Sequence, residues 1–228
     1  YACPICQDTG RVNGNICACY KEAVRNALKQ ACIGNRNLAT FDDWREDVAA
    51  NQEQRAELQK AKVYLQKLVH SYPKLPHKTW VFAGCTGVGK SFALECVTSA
   101  FLNRGVDACI YTSFQINELF LKYHTTFTEE KEQYMNQLLE PSVLLIDDLG
   151  TEPMLNNVTI NYLYLLLTER MSAGKTTFFT TNLNPNNILE RYGERVFSCL
   201  CSTKDAKWFK FIGDDLRLSL TKKSLKKE

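Results

Sequence analysis

No stretch of this 228-residue chain approaches the ~18 consecutive apolar residues that a membrane-spanning helix needs. No charged leader with a short apolar core and small-residue cleavage site is visible, so the chain carries no recognisable secretory signal. Its ten cysteines do not follow the spacing of a secreted disulfide framework. A strong overall charge is lacking too. The formal net charge is +3, and residues 219–228, with four lysines and one glutamate, account for all of it. Bulk charge therefore does not advertise a nucleic-acid or membrane surface. The tail reads as a solvated, disordered end, with contact to phosphates as the alternative. What remains is a chain long enough for one sizeable core with a small appendage, expected in a reducing cytoplasm.

What is present begins with Gly84-Cys85-Thr86-Gly87-Val88-Gly89-Lys90-Ser91. It meets the phosphate-loop pattern G-x-x-x-x-G-K-[ST] at every fixed position. Small, φ-permissive residues let consecutive backbone N–H groups turn inward around phosphate oxygens. Lys90 is placed to reach the outer phosphates of ATP, and the Ser91 hydroxyl to ligate Mg²⁺. The context agrees. Residues 79–83 are a short β-rich run, and residues 91–102 carry apolar side chains at helical spacing. The helix that starts here adds its positive N-terminal end to the same site.

A second signal is Val143-Leu144-Leu145-Ile146-Asp147-Asp148, an apolar strand ending in two acids. This is the Walker B arrangement. Asp147 is the expected Mg²⁺ carboxylate, and Asp148 the group that orients or deprotonates the attacking water. Glu152 is a reserve acid nearby. Residues 176–182 form a β-branched and aromatic strand. Set beside the Walker B strand, it would place Asn182 against a γ-phosphate or the water.

The first nineteen residues hold Cys3, Cys6, Cys17 and Cys19 around a turn-rich decapeptide. Four thiolates close a tetrahedral structural Zn²⁺ site. The second pair is C-x-C, tighter than the usual C-x-x-C, which leaves Cys32 as an alternative ligand. Cys85, Cys96 and Cys109 sit in or beside apolar segments and read as small buried residues.

Hydrophobic spacing predicts further helices over 20–35, 52–71, 114–123, 129–139, 154–172 and, with breaks, 184–203. Strands are expected at 106–112 and 207–212. Residues 36–46 form an irregular connector whose Phe41 and Trp44 either approach a nucleotide base or anchor the linker. Lys122-Tyr123-His124 fits either stacking on a single strand or a mixed solvated face.

Taken in order, C-P-I-C-Q-D-T-G…C-A-C, G-C-T-G-V-G-K-S, L-L-I-D-D-L-G-T-E, T-T-N-L, R-Y-G-E-R-V and G-D-D-L-R-L resemble the bacterial DnaC/DnaI-type replicative helicase loaders. The cysteine preamble and the G-D-D-L-R-L ending look like the Firmicutes branch. The resemblance implies an AAA+ fold, a five-stranded parallel αβα sheet that binds ATP between subunits, with self-assembly. It implies a small cysteine-rich zinc-knuckle segment and helix at 1–35, a linker and helix at 36–78, the ATPase domain at 79–218 and the basic tail after it. It further implies ATP-dependent delivery of a replicative helicase onto single-stranded DNA. Lys90 and Ser91 would bind phosphate and Mg²⁺, Asp147 and Asp148 would be the Walker B acids, Asn182 sensor 1 and Arg217 sensor 2. Residues 113–140 match the helical insertion that touches single-stranded DNA. The family also carries an N-terminal helicase-binding domain. A chain beginning at Tyr1 is expected to lack it, and so to bind nucleotide but not helicase.

One departure stands out. The family reads R-V-x-x-R, its last arginine completing a neighbour's site, whereas Arg195-Val196-Phe197-Ser198-Cys199 ends in cysteine. Arg195 or Arg191 then substitutes, or hydrolysis is weak; turnover below about 1 s⁻¹ is expected in isolation. Other jobs fit the same loop. An IstB-like transposition helper would bind duplex DNA but generally lacks the cysteines. A small-molecule kinase would carry an arginine-rich lid, which is missing. A non-hydrolysing nucleotide-binding adaptor would use the site only to switch.

Overall fold

The computed structural model describes residues 1–34, 36–49 and 51–217. The chain opens with a hairpin of two short antiparallel strands, β1 (Arg11–Val12) and β2 (Asn15–Ile16). Asn13 and Gly14 between them both have positive φ, the two-residue turn that matches strand twist. Helix α1 (Ala18–Ile33) follows, then the connector with a 3₁₀ turn at Glu46–Val48. Helix α2 (Gln52–Ser71) starts where the Asn51 side chain accepts the Gln54 N–H at 2.7 Å.

From here strand and helix alternate. The elements are β3 (Thr79–Ala83), α3 (Lys90–Asn103), β4 (Ala108–Thr112), α4 (Ser113–Thr125), α5 (Lys131–Leu139) and β5 (Val143–Leu149). Then come α6 (Thr159–Ser172), β6 (Thr176–Thr181), α7 (Pro185–Cys201) and β7 (Ala206–Lys210). The five strands β4-β5-β6-β3-β7 form one all-parallel sheet.

A parallel sheet needs cover on both faces, and side chains alternate accordingly. Trp80, Phe82, Leu145 and Phe178 pack on one side with Leu58, Leu65 and Leu68 of α2 and Leu94, Val97 and Phe101 of α3. Val81, Leu144, Ile146 and Phe179 pack on the other with Leu163, Leu166 and Leu167 of α6 and Ile188 and Val196 of α7. Helix α2 thus shares one core with the sheet. Arg170, 1% exposed, donates to Thr177 Oγ1 and to the carbonyls of Leu138, Pro141 and Thr176 at 2.7–2.9 Å. A buried guanidinium is tolerable only with such satisfaction. It pins the end of α5 to α6 and β6.

Three expectations change. The helix predicted from 154 begins only at Thr159, because 150–158 form a loop in which Asn157 has positive φ. The cysteine segment contains a hairpin rather than a plain turn. Cys85 is exposed, since it lies in the phosphate loop, while Cys96 and Cys109 are buried. The basic tail at 219–228, and Leu218 before it, lie outside the described residues. Among those described, no helix is long and apolar enough to cross a membrane.

Candidate functional site

The strand order decides which residues meet. β6 lies between β3 and β5, so the loop after β6 stands between the phosphate loop and the two acids. Lys90 opens α3 and is 7% exposed. Its Nζ donates to Gly84 O at 2.8 Å, to Cys85 O at 2.7 Å and to Asn182 Oδ1 at 2.7 Å. Asn182 Nδ2 donates in turn to Asp148 Oδ1 at 3.2 Å. Lys90, Asn182 and Asp148 therefore form one hydrogen-bonded row across three strand ends. Burial pulls the Lys90 pKa down, with Asp148 and Cys85 opposing that shift.

The acids diverge. β5 carries a bulge against β6 between Ile146 and Leu149, and Asp148 takes a left-handed φ of 60°. Bulges re-aim side chains in this way. Asp148 lines the cleft, while Asp147 Oδ1 accepts from Thr180 Oγ1 at 2.6 Å. The same Thr180 oxygen accepts the Asp148 N–H at 2.7 Å. Burial first, and the neighbouring Asp147 charge second, raise the Asp148 pKa above the ordinary carboxylate value.

The loop 84–89 bounds a cleft of about 530 Å³, inside the usual range for small-molecule sites. Thr86, Gly87, Gly89, Lys90 and Ser91 form its floor, with Asp148 and Asn182 at one end. Trp44 and Arg45 from the connector, Leu58 from α2, and Leu216 and Arg217 complete the wall. Trp44 is 5% exposed, stacked on Phe41 and tilted against Phe92, so it both anchors the connector and lines the cleft. Gly87 has φ 81°, and a Cβ there would lie 2.0 Å from the Asp215 carboxylate. The segment 213–217 thus lies on the loop. Leu216 N–H donates to Gly87 O at 2.9 Å, and Gln54 of α2 holds Asp214 O at 2.9 Å. Arg217 pairs with Asp215 at 3.2 Å.

Other candidates are placed elsewhere. Glu152 is 4% exposed and turned toward α7, where Tyr192 donates to its carboxylate, so it is not a reserve acid in the cleft. Arg191 is held to Glu152 and Arg195 lies exposed over the Tyr164 ring. Cys199 is buried in the core with Val196 and Leu200. Its side chain faces inward, not toward a neighbouring surface. Tyr123 and His124 pack against Tyr162 of α6, His124 Nδ1 lying 2.9 Å from its hydroxyl. Lys122 and His124 are exposed and Tyr123 is half-buried.

The four N-terminal sulfurs, of Cys3, Cys6, Cys17 and Cys19, all lie within 4.8 Å of one another. Cys6 to Cys19 is 3.3 Å and Cys3 to Cys17 3.9 Å. Zinc–sulfur bonds of ~2.3 Å in a tetrahedron require edges of ~3.8 Å, so the donor set fits Zn²⁺. Backbone N–H groups of Cys6 and then Ile5 lower the Cys3 thiol to about 7. Cys32 is not part of this set. It is buried in the main core and interacts with Cys109 of β4.

Sequence reasoning passed over Thr180, Gln54, Arg45 and Asp215. The polar face of the threonine-rich strand was the available signal for the first. The others come from segments whose approach to the loop is purely tertiary.

No family model matches the chain. It is 27% identical over 147 residues to the replicative helicase loader DnaC of Escherichia coli (strain K12), covering 64% of this chain and 58% of that protein. It is 29% identical over 110 residues to the replicative helicase loader DnaI of Bacillus subtilis (strain 168), covering 48% of this chain and 34% of that one. Each match thus spans less than two thirds of the relative's length. Among solved structures, that of the DnaC helicase loader superposes with a TM-score of 0.62 at 21% identity. It covers 76% of this chain and 97% of the other, a likeness of fold.

Proposed function

The chain is homologous to the replicative helicase loaders DnaC and DnaI, and on that premise we propose that it is an AAA+ ATPase acting in helicase loading. ATP binding and hydrolysis are its switch, single-stranded DNA and a replicative helicase its partners. The observation that carries this reading is the row Lys90–Asn182–Asp148 at the mouth of a glycine loop. A cation, an amide and a carboxylate at adjacent strand ends suit a bound triphosphate and its attacking water.

In this reading the N–H groups of residues 85–91 and the Lys90 ammonium bind the phosphates. Ser91 and Asp147 would hold Mg²⁺, which would supply charge neutralisation at the phosphates. Lys90 then exchanges its carbonyl and Asn182 partners for phosphate oxygens. Asn182, released, orients water toward the γ-phosphate, and the Asp148 carboxylate accepts a proton from that water. Arg217, beside the loop, turns from Asp215 to the phosphates. Trp44 and Arg45 flank the nucleoside end. Arg195, exposed on α7, is the arginine available to a neighbouring subunit, since Cys199 faces the core. The end of α4 with Lys122, and the loop before α5 with the 90% exposed Phe127, suit stacking and charge contact with a single strand. The four-thiolate cluster would hold a structural Zn²⁺ that ties the turn carrying Cys3 and Cys6 to the start of α1.

The test is ATP hydrolysis with and without single-stranded DNA and helicase. Slow turnover alone, changed by single-stranded but not duplex DNA, is expected. A protein that binds no nucleotide refutes the reading, and preference for duplex DNA would favour a transposition helper.

A further inference from the structure

The proton acceptor of the proposed reaction, Asp148, is aimed by a turn that has its own fastening. Its N–H is fixed by Thr180 on one side. Its carbonyl accepts from Ser113 Oγ at 2.8 Å and Thr151 Oγ1 at 2.9 Å. These bonds fix the start of the turn. The end is fixed by Glu152. One carboxylate oxygen accepts the Gly150 N–H at 2.9 Å, and the other accepts the Tyr192 hydroxyl and lies 3.7 Å from Arg191 Nη2. The same guanidinium also donates to the Glu152 carbonyl. Gly150 has φ 111°, and a Cβ there would lie 2.7 Å from Leu183, so the turn has no slack on that side.

A carboxylate 4% exposed is kept only where its charge and lone pairs are engaged. Here all its partners are either the turn itself or α7. We propose that Glu152 is a positioning residue, which latches the turn 148–152 to Tyr192 and Arg191 of α7 and so holds Asp148 on the cleft. The inference rests on the ATPase reading above and extends it to a residue outside the cleft.

Two details support a latch over plain core packing. Tyr192 is 1% exposed and spends its hydroxyl on the Glu152 carboxylate, so this phenol is an aimed donor rather than apolar filling. Immediately after Tyr192, α7 breaks at Gly193 (φ 78°, ψ 174°) before continuing to Arg195. The half-helix that grips Glu152 is therefore separated by a kink from the half that carries the surface arginine. Arg191 Nε is buried without a hydrogen-bond partner among the described residues, so this arginine is held through its Nη2 end.

The far side of the loop is anchored independently. Asn117 Nδ2 donates to Pro153 O at 2.8 Å, and Thr159 Oγ1 donates to Asn117 Oδ1 at 2.7 Å. Loss of the latch should therefore leave a folded protein.

The experiment uses the full chain and three variants, E152A, E152Q and Y192F. ATP hydrolysis is measured at saturating ATP and Mg²⁺. Nucleotide affinity is measured separately with a fluorescent ATP analogue. E152A is expected to lower kcat at least tenfold with nucleotide affinity within twofold of wild type. E152Q keeps an acceptor for the Gly150 N–H and should recover most of the rate. Y192F keeps the ring and removes the donor, and should lower kcat severalfold; it decides the matter if E152A does not fold. Equal kcat in wild type, E152A and Y192F overturns the inference, as does a parallel fall of rate and nucleotide affinity in folded Y192F. A wild type that binds no nucleotide removes the ATPase reading, and this inference with it. A wild type that hydrolyses ATP beside an unaffected E152A removes the latch alone.

Discussion

Replacing Lys90 by methionine separates what this residue does for the fold from what it does for the ligand. In the structure the ammonium is 7% exposed and bonded to two loop carbonyls and to Asn182. Hydrogen bonds from a charged group are worth about 1.5–3 kcal/mol each. Against them stands the cost of desolvating the cation, several kcal/mol, the same burial that lowers its pKa. Cys85 and Asn182 are exposed, so water can satisfy their freed acceptors. The two sides nearly cancel, and K90M should change apo stability by no more than about 2 kcal/mol. For a chain of 228 residues that is a Tm change of at most about 8 °C. The ligand effect is distinct. ATP·Mg²⁺ at 100 times its Kd stabilises the folded wild type by about 2.7 kcal/mol, or about 5–10 °C. K90M should show none of that shift. The assay is a melting curve for both proteins with and without ATP·Mg²⁺. A K90M protein that keeps the full ligand shift would refute the assignment of Lys90 to the phosphates. One that fails to fold would refute the balance drawn for the apo site.

Three further outcomes can be checked. Asp148 has a raised pKa, so it takes up its proton at a higher pH than an ordinary aspartate. Mg²⁺-dependent hydrolysis should decline as pH falls through that raised pKa, at a higher pH than an ordinary aspartate would give. The folded state binds this proton more readily than the unfolded, so the group's contribution to stability falls as pH rises, and D148N should raise the apo Tm slightly while abolishing turnover. The thiolate cluster should hold one zinc per chain by elemental analysis, and cobalt should give tetrahedral thiolate bands that C17S weakens and C32S leaves intact. Arg195 is exposed over Tyr164, so R195A should alter stability by no more than about 0.5 kcal/mol. Any loss of hydrolysis should appear only at concentrations where the protein self-associates.

Legibility from sequence tracked how local each signal is. The phosphate loop, the apolar strand before Asp147 and the helical spacing of α2 and α3 are short-range patterns, and the elements formed where the spacing put them. The Asn13-Gly14 turn was equally local, yet its flanking strands are two residues each, too short for alternation to show. The direction of acids and arginines was not legible. Asp147 and Asp148 are neighbours in sequence, and only a bulge against β6 sends one to Thr180 and the other to the cleft. Glu152 is four residues from Asp148 but faces α7, because Tyr192 and Arg191 arrive there through the packing of α7. Cys199 matches the motif position of a surface arginine, while the helical phase after the Gly193 kink turns it inward. The cleft walls supplied by Arg45, Leu58 and Arg217 come from segments far apart in the chain, which no sequence window contains.

The strap over the loop has a consequence for how the molecule is made. Gln54 grips Asp214, and Leu216 rests on Gly87, so one wall of the cleft comes from a segment synthesised more than a hundred residues after the loop it touches. Chains grow at about 5–20 residues per second, and parallel sheets wait for distant strands. β7, the edge strand beside β3, also comes after every other strand. A nascent chain therefore displays an open phosphate loop for several seconds, on a ribosome surrounded by millimolar nucleotide, before strand and strap arrive.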